Sequence, residues 1–215
     1  IAASYEAKAF GVKCGTMIRD AKSMCPGIEI VKARHTLYVA YHRQVLKVVE
    51  SVLPIDEVCS IDEMRFRLLG TEQSAEAASG LARKIKAAIY QQVGSQMACS
   101  IGIAPNAFLA KVATELQKPN GLVVVRDEDL PGSLLGLKIT DFPGINRRMA
   151  ARLNAAGIFS TEQLCAASKA DLLRGFGSIV GERWWFYLRG FDLGEETHDR
   201  KTLGHSHVLP PDLRN

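Results

Sequence analysis

The chain has no C-x-x-C pair, no long apolar run and no basic-flanked apolar leader, and each absence removes a class of protein. Its five cysteines (Cys14, Cys25, Cys59, Cys99 and Cys165) are odd in number and widely spaced, which argues against a zinc site and against a disulfide framework. Cys59 and Cys99 fall in apolar β-type runs and read as small core hydrophobes. A reducing, cytoplasmic setting is expected. No apolar stretch reaches the roughly 20 residues needed to cross a bilayer, so no membrane partner is expected. The opening Ile1-Ala2-Ala3-Ser4 has no signal-peptide character. It also lacks a start methionine and begins inside what reads as a strand end, so a longer protein is expected upstream. No internal repeat or low-complexity tract is present. What remains is an ordinary globular composition, 47% hydrophobic and 23% charged over 215 residues. That length suits one large domain or two to three small ones.

Charge is unevenly placed. Residues 1–50 carry eight Lys/Arg against four Asp/Glu, and residues 51–139 carry nine against ten. Residues 140–215 carry ten against nine. A cationic start beside an acidic middle suits a phosphate-bearing substrate held at a metal. A solvated surface with no special partner has the same counts.

The acidic middle centres on Ser60-Ile61-Asp62-Glu63. One β-type run, Glu57–Ile61, stops at the two carboxylates, and another, Met64–Leu69, follows at once. Neighbours in a flat strand face opposite ways, so two adjacent carboxylates serve one site only if the chain bends there. A carboxylate pair on a bend suits Mg²⁺, which takes one or two carboxylates plus substrate phosphates. A solvated Asp-Glu in a hairpin turn has the same sequence.

Periodicity places elements around this hairpin. Two short helices are expected between residue 4 and about 25, separated by Gly11 and Gly15 and stopped by Pro26-Gly27. Glu29–Lys32 reads as a short strand. Residues 36–52 form a helix with Leu37, Tyr41, Val45, Val48, Val49 and Val52 on one face. A helix over about 73–93 follows the hairpin, with Ala78, Leu81, Ile85, Ala88 and Ile89 as its stripe. Met97–Ala104 reads as a strand, Asn106–Leu116 as a helix and Leu122–Val125 as a strand. The fold class is therefore α+β, a sheet with helices on one face. Past residue 126 only short helices are expected, about two of them within 161–189. Residues 201–215 read as a linker.

Four further segments carry possible chemistry. Tyr5 and Lys8 share a helical face, where an aromatic ring and a cation could meet a nucleotide, or simply line a surface. Gln117-Lys118-Pro119-Asn120-Gly121 is a turn that fixes Lys118 at the sheet rim, within reach of a phosphate or of solvent. Ser100-Ile101-Gly102 suggests close backbone approach, and Asn106 a helix cap. Pro143-Gly144-Ile145-Asn146 precedes a helix bearing Arg147, Arg148 and Arg152. Free N–H groups at that helix start bind phosphate, so the segment fits a helix-hairpin-helix or an ordinary helical hairpin.

Taken in order, these segments resemble the Y-family (UmuC/DinB-like) DNA polymerases, the translesion enzymes of DNA repair. The resemblance rests on Tyr5-Glu6-Ala7-Lys8-x-Phe10-Gly11-Val12, Ser60-Ile61-Asp62-Glu63, Ser100-Ile101-Gly102-Ile103-Ala104-x-Asn106, Ala110-Lys111-Val112-Ala113, Lys118-Pro119-Asn120-Gly121 and Pro143-Gly144-Ile145. It implies part of the fingers at 1–34, part of the palm at 35–125, a thumb with helix-hairpin-helix at 126–200, and a linker at 201–215 toward a little-finger domain outside this chain. The implied reaction is two-metal, template-directed nucleotidyl transfer. Asp62 and Glu63 would be catalytic and hold Mg²⁺, two ions in all, completed by dNTP phosphates and by an aspartate outside this chain. Tyr5, Lys8 and Lys118 would hold the dNTP. Gly144, Ile145, Asn146, Arg147 and Arg148 would bind primer-template DNA. A sliding clamp is a possible further partner, through a C-terminal region not in this chain. Three departures from the family pattern stand out. Lys8 replaces the usual arginine, Asn146 replaces the last glycine of the thumb turn, and Arg65 and Arg67 crowd a strand after the carboxylates. The alternatives are a non-catalytic DNA-binding subunit of polymerase ancestry and a plain helix-hairpin-helix binding module.

Overall fold

The computed structural model describes residues 2–194 and residue 204. The expected linker at 201–215 therefore lies, except for Gly204, outside the described residues. The element order is α1 (Tyr5–Ala9), α2 (Ile18–Met24), α3 (His35–Glu50), β1 (Glu57–Val58), β2 (Met64–Arg65), α4 (Ala75–Gln92), β3 (Ile101–Ile103), α5 (Ala107–Leu116), β4 (Leu122–Val124), α6 (Arg147–Ala155), α7 (Thr161–Ala166), α8 (Lys169–Phe176) and α9 (Val180–Tyr187). The chain is thus helix-rich and mixed, with small sheets.

The strands form two separate pairs. β1 and β2 are antiparallel, with Glu57 opposite Arg65 and Val58 opposite Met64. β3 and β4 are parallel, in register from Ile101 opposite Leu122 to Ile103 opposite Val124, and α5 makes the crossover between them. One continuous sheet was the expectation. Among the described residues the two pairs are instead joined through side chains. Ile85 and Ile89 of α4, with Val49 and Leu53, pack against Met64, Phe66 and Leu68 on one side and Cys99 and Ile101 on the other.

Capping chemistry explains the helix starts. Ser74 accepts from the Ala77 N–H, Ser160 from the Gln163 N–H and Ser168 from the Asp171 N–H. The Ser168–Asp171 capping box restarts the chain after Ala167, so residues 161–189 hold three helices rather than two. Asn106 caps α5, as its sequence position suggests, and its amide does more. It is buried, and its Nδ2 donates to the carbonyls of Tyr187 (3.0 Å) and Phe191 (3.2 Å). One side chain therefore starts α5 and ties it to the end of α9.

The largest core belongs to the helical half. Phe142, Ile145, Leu153, Leu164, Leu172, Phe176 and Trp184 are buried together with Leu109 and Val112 of α5. Trp184 is its aromatic hub, with Phe108 at 4.6 Å, Phe176 at 4.9 Å and Phe142 at 6.0 Å between ring centroids. Gly102 is required by packing. A Cβ there would lie 2.1 Å from the Ala110 carbonyl oxygen, which confirms the close backbone approach expected of it.

Three expectations fail locally. Glu29–Lys32 forms no strand, since Ile30 and Val31 are 42% and 73% exposed and no neighbouring strand among the described residues pairs with them. Cys59 is exposed rather than a core residue, because it sits where the hairpin leaves β1, and Cys99 is only half-buried. On α3 the apolar face is buried at Val48 and Val49, whereas Leu37 and Tyr41 stay exposed because no described element covers the first turns.

Candidate active site

The bend at the carboxylates is present. After the Val58–Met64 pair, the N–H groups of Cys59 and Ser60 both donate to the Glu63 carbonyl, at 2.9 and 3.1 Å, and close a tight loop over Ser60, Ile61 and Asp62. Asp62 Oδ1 accepts from Ser60 Oγ at 2.7 Å, and the Asp62 N–H donates back to that hydroxyl at 3.3 Å. His42 Nδ1 on α3 bonds the Ile61 carbonyl at 2.7 Å and fixes the loop from outside.

Glu63 points to a different partner. Its Oε1 pairs with Lys111 Nζ of α5. Lys111 lies 3.4 Å from Glu115 Oε1, and the same oxygen takes Lys118 Nζ at 2.7 Å. Four alternating charges, Glu63–Lys111–Glu115–Lys118, therefore run from the hairpin bend along α5 to the turn before β4. Partial burial pulls the Lys111 pKa down, but its hydrogen bond to Glu63 and the two neighbouring carboxylates outweigh this and hold it above the ordinary lysine value. Partial burial pushes Glu115 up, and the two lysines more than reverse this, leaving it below the ordinary glutamate value.

The Lys118 turn is clamped from beneath. Lys86 of α4 places its ammonium on the carbonyls of Cys99, Asn120 and Gly121 and on Asn120 Oδ1. Asn120 takes the left-handed backbone this turn needs, at φ 58°.

The second predicted group sits across a cleft. A cavity of about 470 Å³ is lined by Lys111 and Glu115 on one wall and by Leu137, Thr140, Asp141, Phe142 and Pro143 on the other. The Pro143–Asn146 turn starts there. Gly144, at φ 92°, supplies the left-handed residue, so Asn146 has no need to. Asn146 is extended and caps α6 through the Met149 N–H at 2.9 Å, which explains why a residue other than glycine serves at this position. Ile145 is buried in the core, so only its backbone can face a ligand. Arg147 and Arg148 are exposed and have no ion-pair or hydrogen-bond partner among the described residues. Arg152 is committed elsewhere, donating to the Phe176 carbonyl at 2.6 Å.

Tyr5 and Lys8 do share a face, with the Lys8 ammonium 4.6 Å from the Tyr5 ring centre. They belong to a separate cluster built on Ala7, Val12 and Ala21. Among the described residues neither bonds to the hairpin or to Lys118. The crowded arginines are also accounted for. Arg65 pairs with Asp56 at 3.0 Å and Glu57 at 3.2 Å, and Arg67 reaches Asp192 at 3.0 Å beyond α9.

Sequence reasoning quoted Lys111 but gave it no role, and missed Glu115 and Lys86. A signal for the first two was available: positions 111, 115 and 118 follow i, i+4, i+7 spacing with alternating charge. Asp62 Oδ2 and Glu63 Oε2 have no partner among the described residues. No cluster of three or more His, Cys, Asp or Glu is present among them. This donor set fits a hard cation that completes its shell with oxygens from a bound substrate.

Residues 1–115 match the impB/mucB/samB family. A DNA polymerase IV of Moorella thermoacetica is 34% identical over the whole chain, which covers 54% of that protein. Another DNA polymerase IV, of Pseudomonas paraeruginosa, is 33% identical across 88% of the chain and 53% of its own length. The fold is similar to an insertion ternary complex of Dbh DNA polymerase (TM-score 0.74, 30% identity, 90% of this chain and 56% of that one). It is also similar to DinB from Sulfolobus solfataricus (TM-score 0.70, 32% identity, 86% and 53%). The chain spans about half the length of the curated relatives it matches. With more than half of its residues within the family's own domain, this chain belongs to the impB/mucB/samB family.

Proposed function

We propose that this chain is part of a Y-family DNA-directed DNA polymerase that performs error-prone translesion synthesis on primer-template DNA. The observation that carries the reading is the continuous link from the Asp62-Glu63 bend to Lys118. It connects a carboxylate pair suited to a divalent metal with a lysine suited to a triphosphate, in a family whose relatives are named DNA polymerase IV. Residues 1–34 act as part of the fingers, 35–125 as part of the palm and 126–200 as the thumb. Asp62 and Glu63 hold Mg²⁺, with dNTP phosphates completing the shell. Two such ions, when bound, would supply Lewis-acid stabilisation of the charge that develops during nucleotidyl transfer. Lys118 holds the triphosphate as a compact point charge, and Tyr5 and Lys8 approach it from the fingers. The backbone of Gly144, Ile145 and Asn146 and the side chains of Arg147 and Arg148 grip a DNA phosphate without reading bases. The free cysteines and unexceptional charge suit a cytoplasmic enzyme.

The test is substitution of each carboxylate in the full-length protein. Asp62→Ala and Glu63→Ala should each abolish primer extension and leave DNA affinity within about twofold, because phosphate contacts dominate that affinity. Extension at near wild-type rates by either variant would remove the bend from the chemistry.

A further inference from the structure

The four charges between the bend and the Lys118 turn are arranged unevenly. Glu63 has one lysine partner, whereas Glu115 has two, and both approach the same oxygen, Oε1. Lys118 holds that oxygen closely at 2.7 Å, and Lys111 stands off at 3.4 Å while its main contact is Glu63. Each carboxylate thus has one close cation, and Lys111 lies between two acceptors.

We infer that Lys111 and Glu115 form a relay, in which a triphosphate drawing Lys118 away from Glu115 lets Lys111 shift onto Glu115 and frees the Glu63 carboxylate. The inference rests on the proposed triphosphate role of Lys118 and concerns how that site prepares its carboxylate. Charge balances at every stage. At first Glu63 is paired with Lys111, and Glu115 with Lys118. Afterwards Glu115 is paired with Lys111 and the phosphate with Lys118, and Glu63 is open to a divalent cation. Glu115 cannot hold both ammonium groups equally well on one oxygen, so loss of one strengthens its hold on the other. The shift is small, because Lys111 already lies within ion-pair distance of its second acceptor. All four side chains are 35–46% exposed, so each pair is individually weak and can exchange partners. Lys111 and Glu115 are positioning residues here, acting through Glu63 and Lys118.

The experiment uses the full-length protein with ¹³C-labelled lysine side chains, and Lys111 and Lys118 signals assigned from K111R and K118R. The probe is dATP in the presence of EDTA, so that no metal can reach Glu63 directly. Both lysine signals are expected to move with one common midpoint. In E115Q the Lys118 signal should still move, at an equal or lower dATP concentration, and the Lys111 response should fall at least threefold. A merely structural ion pair would leave Lys111 unresponsive to nucleotide in both proteins. Movement of Lys118 with Lys111 fixed in the parent chain would overturn the relay while leaving the triphosphate site standing. An undiminished Lys111 response in E115Q would overturn it equally. If Lys118 itself stays fixed at saturating dATP, the triphosphate site falls and the relay with it.

Discussion

The helical half and the half bearing the carboxylates differ in the size of their cores and in how much polar framing surrounds them. Beyond residue 126, side chains from α6 to α9 and the turns before them interlock around Trp184, and this core also takes Leu109 and Val112 from α5. Around the bend, a smaller core of Val49, Leu53, Ile85 and Ile89 beneath Met64, Phe66 and Leu68 carries a polar frame: a hairpin closed on the Glu63 carbonyl, a hydroxyl on Asp62, a lysine clamp and half-exposed ion pairs. Among the described residues of the first 34, the buried cluster is Ala7, Val12 and Ala21. The groups suited to a metal and a triphosphate sit among half-exposed ion pairs that exchange partners at little cost, whereas the Pro143–Asn146 turn is anchored in the helical core through Ile145.

The strongest challenge to that division is to cut the hub. Trp184→Ala removes the ring that touches Phe108, Phe142 and Phe176, and core truncations of this size cost about 3–5 kcal/mol. It should also loosen the Pro143–Asn146 turn, since a Cβ at Gly144 would lie 3.9 Å from Cζ2 of the Trp184 ring. Val12→Ala, in the small N-terminal cluster, should cost clearly less in denaturant unfolding. Equal costs would mean that the two regions are not differently stabilised.

Next comes the side chain that joins them. Asn106→Asp keeps the cap acceptor but replaces an N–H donor with a carboxylate facing the Tyr187 and Phe191 carbonyls. The expected loss is about 2–3 kcal/mol at neutral pH, the penalty for buried polar groups left unpaired. Burial against two carbonyls raises the new carboxyl's folded pKa, so the penalty applies above that value and is relieved as pH falls through it. A variant as stable as the parent at pH 7 would show that the Asn106 amide contributes nothing to the link, leaving it to Arg67–Asp192 and to Leu109 and Val112.

These comparisons mark what the sequence could disclose. The bend at Asp62-Glu63, the Asn106 cap and the Gly102 approach were legible because each is a local rule about a turn, a helix start or a missing Cβ. The stripes of α3 and α4 were legible from periodicity, though not the exposure of Leu37 and Tyr41, which depends on what lies opposite. The reach of Lys111 to Glu63 spans 48 positions, and that of Arg67 to Asp192 spans 125, so no local pattern pairs them. Lys86 was illegible for the same reason, because its four acceptors come from two loops brought together only by β3 and β4. The Asn146 departure is accounted for by a cap, since Gly144 already supplies the left-handed residue of the turn.

A smaller effect sharpens the contrast by titration. The lysines lower the Glu115 pKa, so its pairing stabilises the fold above the ordinary glutamate value, about 4.3, and is lost as pH falls through the lower folded value. With a side chain 35% exposed, the contribution should stay below about 1 kcal/mol after solvent screening. Glu115→Gln should therefore be slightly less stable at pH 7, and the two unfolding curves should converge in acid. A gap that persists at pH 2 would assign the effect to packing.

The smallest expected effect on stability comes from Arg147 and Arg148, which are exposed at the start of α6 and have no partner among the described residues. Replacing both with alanine should change unfolding free energy by less than about 0.5 kcal/mol, as for surface residues elsewhere. On DNA the same double variant should behave quite differently. On the proposed reading the start of α6 and its adjacent arginines grip a phosphate, so affinity should drop about equally on any duplex sequence. The slope of log affinity against log salt should shrink by roughly one for each phosphate the variant no longer neutralises. The measurement is affinity across a salt series for parent and variant, on two unrelated duplexes. Parallel slopes would show that these arginines touch no phosphate. A weakening confined to one duplex would show that they read bases. The first result would detach these arginines from the proposed DNA grip, and the second would replace a phosphate grip with a sequence-reading contact.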